Sequence, residues 1–324
     1  MTLTPLNPLG EFDLIERIRR RLGAQADVVL GIGDDAAIVT PLPDRQLVVC
    51  TDTLVKGVHY PSETTAADIG WKSLAVNLSD LAAMGARPRW VTLALTMPQA
   101  DATWLDDFLD GFLELAVAHG VALVGGDTTR GAESITVTAL GSVPPDQALR
   151  RDAAQLGDDL WVTGTLGDAA LALQHWRDTG RIDNERLAMR LNRPTPRIAL
   201  GLALRGIAHA AIDVSDGLLA DAGHVAKASL LGIELHVDEL PLSEELADMS
   251  SIARQGLQLA GGDDYELCFS APAENASQVQ SVAAACDVRV TRIGRLVDGS
   301  GIRVLGADGQ VLSLSETGYR HFAS

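Results

Sequence analysis

Val28-Val29-Leu30-Gly31-Ile32-Gly33-Asp34-Asp35 is the stretch from which the rest of the chain can be read. An apolar run enters a glycine turn, and the turn ends in two carboxylates. The pattern predicts a buried strand that delivers acids to its end. It recurs at Val48-Val49-Cys50-Thr51-Asp52 and at Val121-Ala122-Leu123-Val124-Gly125-Gly126-Asp127. Ala211-Ile212-Asp213-Val214-Ser215-Asp216-Gly217 and Leu259-Ala260-Gly261-Gly262-Asp263-Asp264 complete the set. One acid after a strand is usually a turn residue or a helix cap. Five such ends, each with Gly, Ser or Thr beside an Asp, point further. Oxygen ligands on short side chains suit hard cations such as Mg²⁺, which commonly accompany phosphates.

The surrounding elements follow from periodicity. A first helix is expected over 11–22, with Phe12, Ile15, Ile18 and Leu22 near one face. Thr65 with Asp68 resembles a capping box that opens a helix running to about Gly85. Its buried stripe would be Ile69, Leu74, Leu78, Leu81 and Ala82, with Asn77 and Asp80 on another face. Residues 90–97 alternate as a strand, and Thr103 with Asp106 would open a helix closed by Gly120. Strands are expected at 121–124 and 134–143. The polar segment Asp146 to Asp159 lacks periodicity and sets a boundary between domains 1–148 and 149–324. Beyond it, Trp161 to Asp168 reads as strand, glycine turn and helix, followed by helices near 197–208 and 217–231. Further strands are expected at 233–237, 265–270, 288–297, 302–305 and 311–314. Strands and helices mix without strict alternation, so the fold class is α+β rather than a doubly wound sheet.

Composition removes several functions. Of 324 residues 47% are hydrophobic, enough for packed cores in two domains. The formal net charge is −17 and no Lys/Arg cluster stands out, so neither nucleic acid nor an anionic membrane is an expected partner. The lysines Lys56, Lys72 and Lys227 lie outside any P-loop pattern. Cys50, Cys268 and Cys286 are odd in number and widely spaced, which argues against disulfides and zinc. With no signal peptide and no membrane span visible, a cytoplasmic protein is expected. Nucleophile elbows, His-Glu-x-x-His, Cys-x-x-Cys and the protein-kinase motifs are absent.

What remains is the carboxylate constellation with single accessories. Arg151 could pair with a phosphate or lie on the surface. His59 sits in a glycine-flanked loop, and Tyr319 in a segment that could dock the C-terminus. Two classes stay open: a Mg²⁺-dependent enzyme on phosphate substrates, and a non-catalytic acidic cation-binding protein. The second calls for one compact Asp-rich loop. Here the acids run from Asp35 to Asp263, which favours the enzyme.

Several motifs in order resemble the thiamine-monophosphate kinase family along essentially the whole chain. They are Gly10-Glu11-Phe12, Gly31-Ile32-Gly33-Asp34-Asp35, Thr51-Asp52-Thr53-Leu54-Val55 and Asn77-Leu78-Ser79-Asp80-Leu81-Ala82-Ala83-Met84-Gly85. Gly125-Gly126-Asp127-Thr128-Thr129-Arg130, Asp213-x-Ser215-Asp216-Gly217 and Asp264-Tyr265-Glu266-Leu267 follow. The resemblance implies transfer of the γ-phosphoryl of ATP onto thiamine monophosphate. It implies a two-domain subunit similar to aminoimidazole ribonucleotide synthetase, which dimerises through its N-terminal sheet. That subunit has a mixed or antiparallel N-terminal sheet with helices and an α/β-type C-terminal domain. By resemblance, Asp35, Thr51, Asp52, Asp80, Asp127, Asp213 and Asp216 would hold several Mg²⁺ ions. Gly126, Asp127, Arg151 and Ser215 would contact ATP, and His59, Asp263 and Tyr319 the thiamine phosphate. Asp263 stands where the family pattern has Glu, and Cys50 where relatives carry Ser. ATP and a phosphate monoester together carry about −6, so cations must accompany them to a carboxylate site. No protein base or nucleophile is expected. Another ATP-using synthetase of the same superfamily is the nearest alternative.

Overall fold

The structure, a computed structural model, describes residues 10–312 and Gly318. Its contacts separate two units, Met1–Asn77 with Pro88–Ser142, and Leu78–Arg87 with Val143–Ser324.

In the first unit, α1 (Glu11–Arg20) carries acids in its first turn and arginines in its last, as the helix dipole favours. Leu14 and Ile18 are its buried residues, whereas Phe12 is 82% exposed and does not join the expected stripe. The strand before Gly31 is short. β1 (Val28–Leu30) pairs antiparallel with β2 (Ile38–Val39), and Val29 is exposed, so this is a small ribbon rather than a buried strand. The main sheet has the order β3 (Gln46–Val55), β6 (Ser134–Val143), β4 (Arg87–Met97), β5 (Ala122–Arg130). Thr51 meets Thr138 and Thr53 meets Thr136 through their hydroxyls, so β3 and β6 run antiparallel. β4 and β5 are parallel, joined by α3 (Ala102–His119).

Two of the expected strand ends are strand interiors. β3 continues through Thr51 and Asp52 to Val55, and β5 continues through Gly125-Gly126-Asp127 to Arg130. The register slips between Val91 and Thr92, opposite the glycine pair. Gly126 has φ +152°, and a Cβ there would lie 1.8 Å from the Leu93 carbonyl oxygen. Glycine is needed for that close approach inside the sheet, not for a turn after it.

Helix α2 (Ala66–Ala83) starts as expected, with Thr65 Oγ1 accepting from the Asp68 amide at 3.2 Å. Ile69, Leu74, Leu78, Leu81 and Ala82 are all buried. The α3 cap is Asp101 rather than Thr103, since its Oδ1 accepts from the Thr103 and Trp104 amides at 3.0 Å. α2 and α3 cross at Gly70 and Gly111, where a Cβ would come within 2.0 and 1.8 Å of the other helix's carbonyl oxygens. Only glycines permit that separation.

In the second unit, one sheet has the order β12 (Gly301–Leu305), β9 (Gly232–His236), β11 (Val290–Val297), β7 (Asp159–Thr163), β10 (Leu267–Ala271), β8 (Ala210–Asp213). Its pairs are antiparallel except β12 with β9. α4 (Asp168–Thr179), α5 (Glu185–Asn192), α6 (Ile198–Ala203), α7 (Leu218–Ala228), α8 (Ser251–Ala260) and α9 (Ala276–Ala285) accompany it. α5, α8 and α9 are additions to the sequence reading. α8 replaces an expected strand before Gly261. Val311 forms an isolated bridge to Leu305 where 311–314 was expected as strand. Ile212, Leu218, Val225, Ile233, Leu235, Cys268 and Ile293 are among the core residues between α7 and the sheet. The fold is α+β in two domains.

Candidate functional site

A cavity of about 740 Å³ in the first unit gathers one set of expected residues. The Gly31–Ala37 loop and the Leu123–Thr128 part of β5 line it, with Phe12, Ile15 and Ile18 of α1. Asp35, Gly126 and Asp127 therefore border one space, and all three are exposed. Asp34 Oδ1 accepts from the Asp35 amide at 2.8 Å, which fixes the loop end.

On β3, Thr51 is exposed and Asp52 half-buried. The Asp52 amide donates to Asn77 Oδ1 at 3.2 Å, and Asn77 Nδ2 donates to the Ser73 carbonyl at 3.1 Å. Asn77 is thus fully buried and ties strand to helix. Cys50 Sγ donates to the Asn77 carbonyl at 3.4 Å. His59 follows β3 in a turn, its Nδ1 accepting from the Val55 amide at 3.0 Å.

The second unit gathers another set. Asp213, at the end of β8, is 4% exposed, and Ser79 Oγ donates to its Oδ2 at 2.7 Å. Asp80 is the next residue of the same helix and is half-buried. Ser215 and Asp216 form the turn into α7. The amides of Ser215, Asp216 and Gly217 all donate to Asp221 Oδ2, at 3.0, 3.0 and 3.2 Å. Burial, and next the charge of Asp213, push the Asp221 carboxyl up to about 7. Asp263 lies against this turn, its amide donating to the Ser215 carbonyl at 2.9 Å. A Cβ at Gly262 would come within 2.4 Å of that carbonyl oxygen, so the two glycine-rich segments interlock. Tyr265 donates its hydroxyl to Asp263 Oδ1 at 3.2 Å.

Beside this turn lies an ionic network that sequence reasoning missed. Glu266 is 1% exposed and accepts from Arg197 Nε and Nη2 at 2.6 Å, Arg190 Nη1 at 3.0 Å and Thr163 Oγ1 at 2.5 Å. Burial alone would raise it, yet Arg197 and Arg190 hold it below the usual carboxylate range. Asp264 accepts from the Gly167 amide, before α4, at 2.7 Å. Burial pushes Asp264 up to about 8, against the pull of Arg190. The two arginines lie on α5 and at the N-cap of α6, far from Glu266 in sequence, so no local spacing announces them.

Arg151 is exposed, and its carbonyl accepts from Ser229 Oγ at 2.8 Å. Tyr319 lies outside the described residues. Among the described residues, no helix is long and apolar enough to cross a membrane.

Both units define a class. Residues 33–143 match the N-terminal domain of AIR synthase related proteins, and residues 155–306 match the C-terminal domain of the same family. Within it, the chain is 44% identical to thiamine-monophosphate kinase of Escherichia coli (strain K12), covering 97% of this chain and 99% of that one. A crystal structure of thiamine-monophosphate kinase from Stenotrophomonas maltophilia K279a is 54% identical, with a TM-score of 0.86 over 94% of this chain and 98% of that one. AaThiL complexed with AMPPCP and TMP is 32% identical, with a TM-score of 0.76 over 99% and 100%. The chain belongs to the thiamine-monophosphate kinase family.

Proposed function

We propose that this chain phosphorylates thiamine monophosphate to thiamine diphosphate with ATP. The observation that carries the reading is full-length relatedness, at 54% identity, to a thiamine-monophosphate kinase of known structure. The AaThiL complex with AMPPCP and TMP supports the two substrates.

The roles follow from the chemistry of the two sets. Asp35, Thr51, Asp52, Asp80, Asp127, Asp213 and Asp216 are the proposed Mg²⁺ ligands. Their donors are all oxygen, as a hard cation prefers. The charges of Asp213 and Asp216 both raise Asp221, a repulsion that a cation would relieve. Mg²⁺, when bound, supplies charge neutralisation and orientation of phosphate oxygens. Gly126, with Asp127, Arg151 and Ser215, is proposed to hold ATP. His59, Asp263 and Tyr319 are proposed to hold the thiamine phosphate, with Asp263 suited to the cationic thiazolium.

The attacking group is a phosphate oxygen, largely ionised at neutral pH because its second pKa is about 6. It needs no side-chain base, so transfer is direct and in line, by positioning and charge stabilisation. Leu47 and Val49 are exposed on β3 at the edge of its sheet, which supports a homodimer through that strand. The cytoplasm is the proposed compartment.

The test is ATP consumption by the purified chain with Mg²⁺ and thiamine monophosphate, compared with an aminoimidazole precursor. Thiamine diphosphate should form only with the first. Turnover of the second alone would replace the reading with a synthetase, and binding of Mg²⁺ without any turnover would replace it with a cation-binding protein.

A further inference from the structure

The turn between β8 and α7 is held from both sides. The amides of Ser215, Asp216 and Gly217 converge on one oxygen, Asp221 Oδ2, at 3.0, 3.0 and 3.2 Å. The carbonyls of Val214 and Ser215 accept from the Tyr265 and Asp263 amides at 2.8 and 2.9 Å. Gly217 has φ +116°, and a Cβ there would lie 2.8 Å from the Ala260 carbonyl oxygen. Glycine alone suits that corner.

A residue that only caps a helix sits at the N-cap and accepts from the second or third helical amide. In α7 the N-cap is Gly217, which has no side chain to do so. Asp221 lies inside the helix and reaches back to three amides that precede it. What it fastens is therefore the turn. Its charge is in a costly place, since it is 4% exposed and Asp213 and Asp216 both repel it. Ser or Asn would close a helix start without that cost. Helix capping alone is a poor reason for aspartate here.

We infer that Asp221 is a positioning residue. It fastens the Ser215–Gly217 backbone and so fixes where Asp216 stands relative to Asp213 for binding Mg²⁺. It acts through the backbone of a ligand residue and not as a ligand itself. Carboxylates that hold a metal are commonly kept in place by such outer partners. The metal part rests on the function proposed above; the fastened turn does not.

Two measurements on the full chain test it. In amide hydrogen exchange, Ser215, Asp216 and Gly217 should be protected in the natural protein. Asp221→Ala should release these three amides while those of β8 stay slow. Rapid exchange at the three amides of the natural protein overturns the inference. The second measurement is Mg²⁺ binding by calorimetry, with the relevant site identified as the one lost in Asp213→Asn. Asp221→Ala should weaken that site about 10–100-fold, the usual effect of removing an outer partner. Asp221→Asn loses the charge but keeps an acceptor oxygen, so its affinity should stay within about threefold of the natural protein. Equal loss in both variants would make Asp221 a ligand or a mere source of charge, and unchanged affinity in Asp221→Ala would leave it a structural cap. Either result overturns the positioning role. If Asp221→Ala does not fold, Asp221→Ser, whose hydroxyl is too short to gather the three amides, is read in its place. A natural protein that binds no Mg²⁺ overturns the proposed function and this inference together. Normal Mg²⁺ binding by Asp221→Ala overturns the inference alone.

Discussion

The acids of the first unit and those of the second are used differently. Asp35 and Asp127 stand exposed along a glycine-lined cavity. In the second unit Asp213, Asp221, Asp264 and Glu266 are buried, each held by named donors. An exposed carboxylate costs the fold little and remains available to a ligand. A buried one must be satisfied within the protein or be protonated. The same residue type thus reports a binding surface in one unit and a structural framework in the other. Asp213 is the test of the distinction, since it is buried but proposed as a metal ligand.

The largest effect should come from Glu266→Ala. It leaves the half-buried Arg190 and Arg197 beside an empty space where Glu266 was, and breaking such a network costs about 3–5 kcal/mol. Urea denaturation should show the loss; a change below about 1 kcal/mol would mean that the network is not structural. Asp213→Asn comes next. The amide oxygen can still accept from Ser79, so stability should fall by no more than about 1 kcal/mol. Turnover should drop by about two orders of magnitude, near 2.7 kcal/mol of transition-state stabilisation. Retained turnover with lost stability would move Asp213 into the framework.

Asp264→Asn sharpens the comparison through pH. The folded carboxyl titrates at about 8, above an unfolded value of about 3.9. Between those values the folded chain keeps a proton that the unfolded chain has released, so stability falls as pH rises through the window. The variant should remove that decline, at most about 1.4 kcal/mol per pH unit, in denaturation curves collected from about pH 5 to 8. An identical slope in both proteins would place the carboxyl's proton elsewhere. The smallest stability effect belongs to Asp127→Asn. Its exposed position predicts a change within about 0.5 kcal/mol, alongside a clear loss of turnover. A destabilisation above that range would dissolve the contrast between the units.

Much of this was legible in the chain. The stripe of α2, its Thr65 cap and the strand at 134–143 follow from periodicity and capping. The acids bordering the cavity announced themselves by their glycines. Local patterns misled where tertiary pairing extends an element. Thr51 and Asp52 looked like a strand end, yet β3 carries on because β6 supplies a partner through Val55. Gly125-Gly126 looked like a turn, because the sequence does not show that Gly126 lets β5 press on Leu93. The apolar run to Ala260 is too short to tell strand from helix, and Ser250 Oγ, accepting from the Ala253 amide, decides for helix. Asp221 was missed because its partners are backbone amides, which no side-chain motif advertises.

Helix α2 runs from Ala66 to Ala83, but its last residues, from Leu78, count with the second unit. That unit is therefore discontinuous along the chain, and no single cut yields it whole. A fragment beginning at Val143 would lack Ser79, the donor to Asp213, and would lack Ala82, whose carbonyl packs on Gly201. On the ribosome the order is reversed. Leu78, Leu81 and Ala82 emerge well before the residues from Val143 onward that complete their unit. The nascent chain thus carries the last turn of α2 without its Gly201 contact until synthesis has passed that residue, an interval in which the apolar turn is open to misassembly.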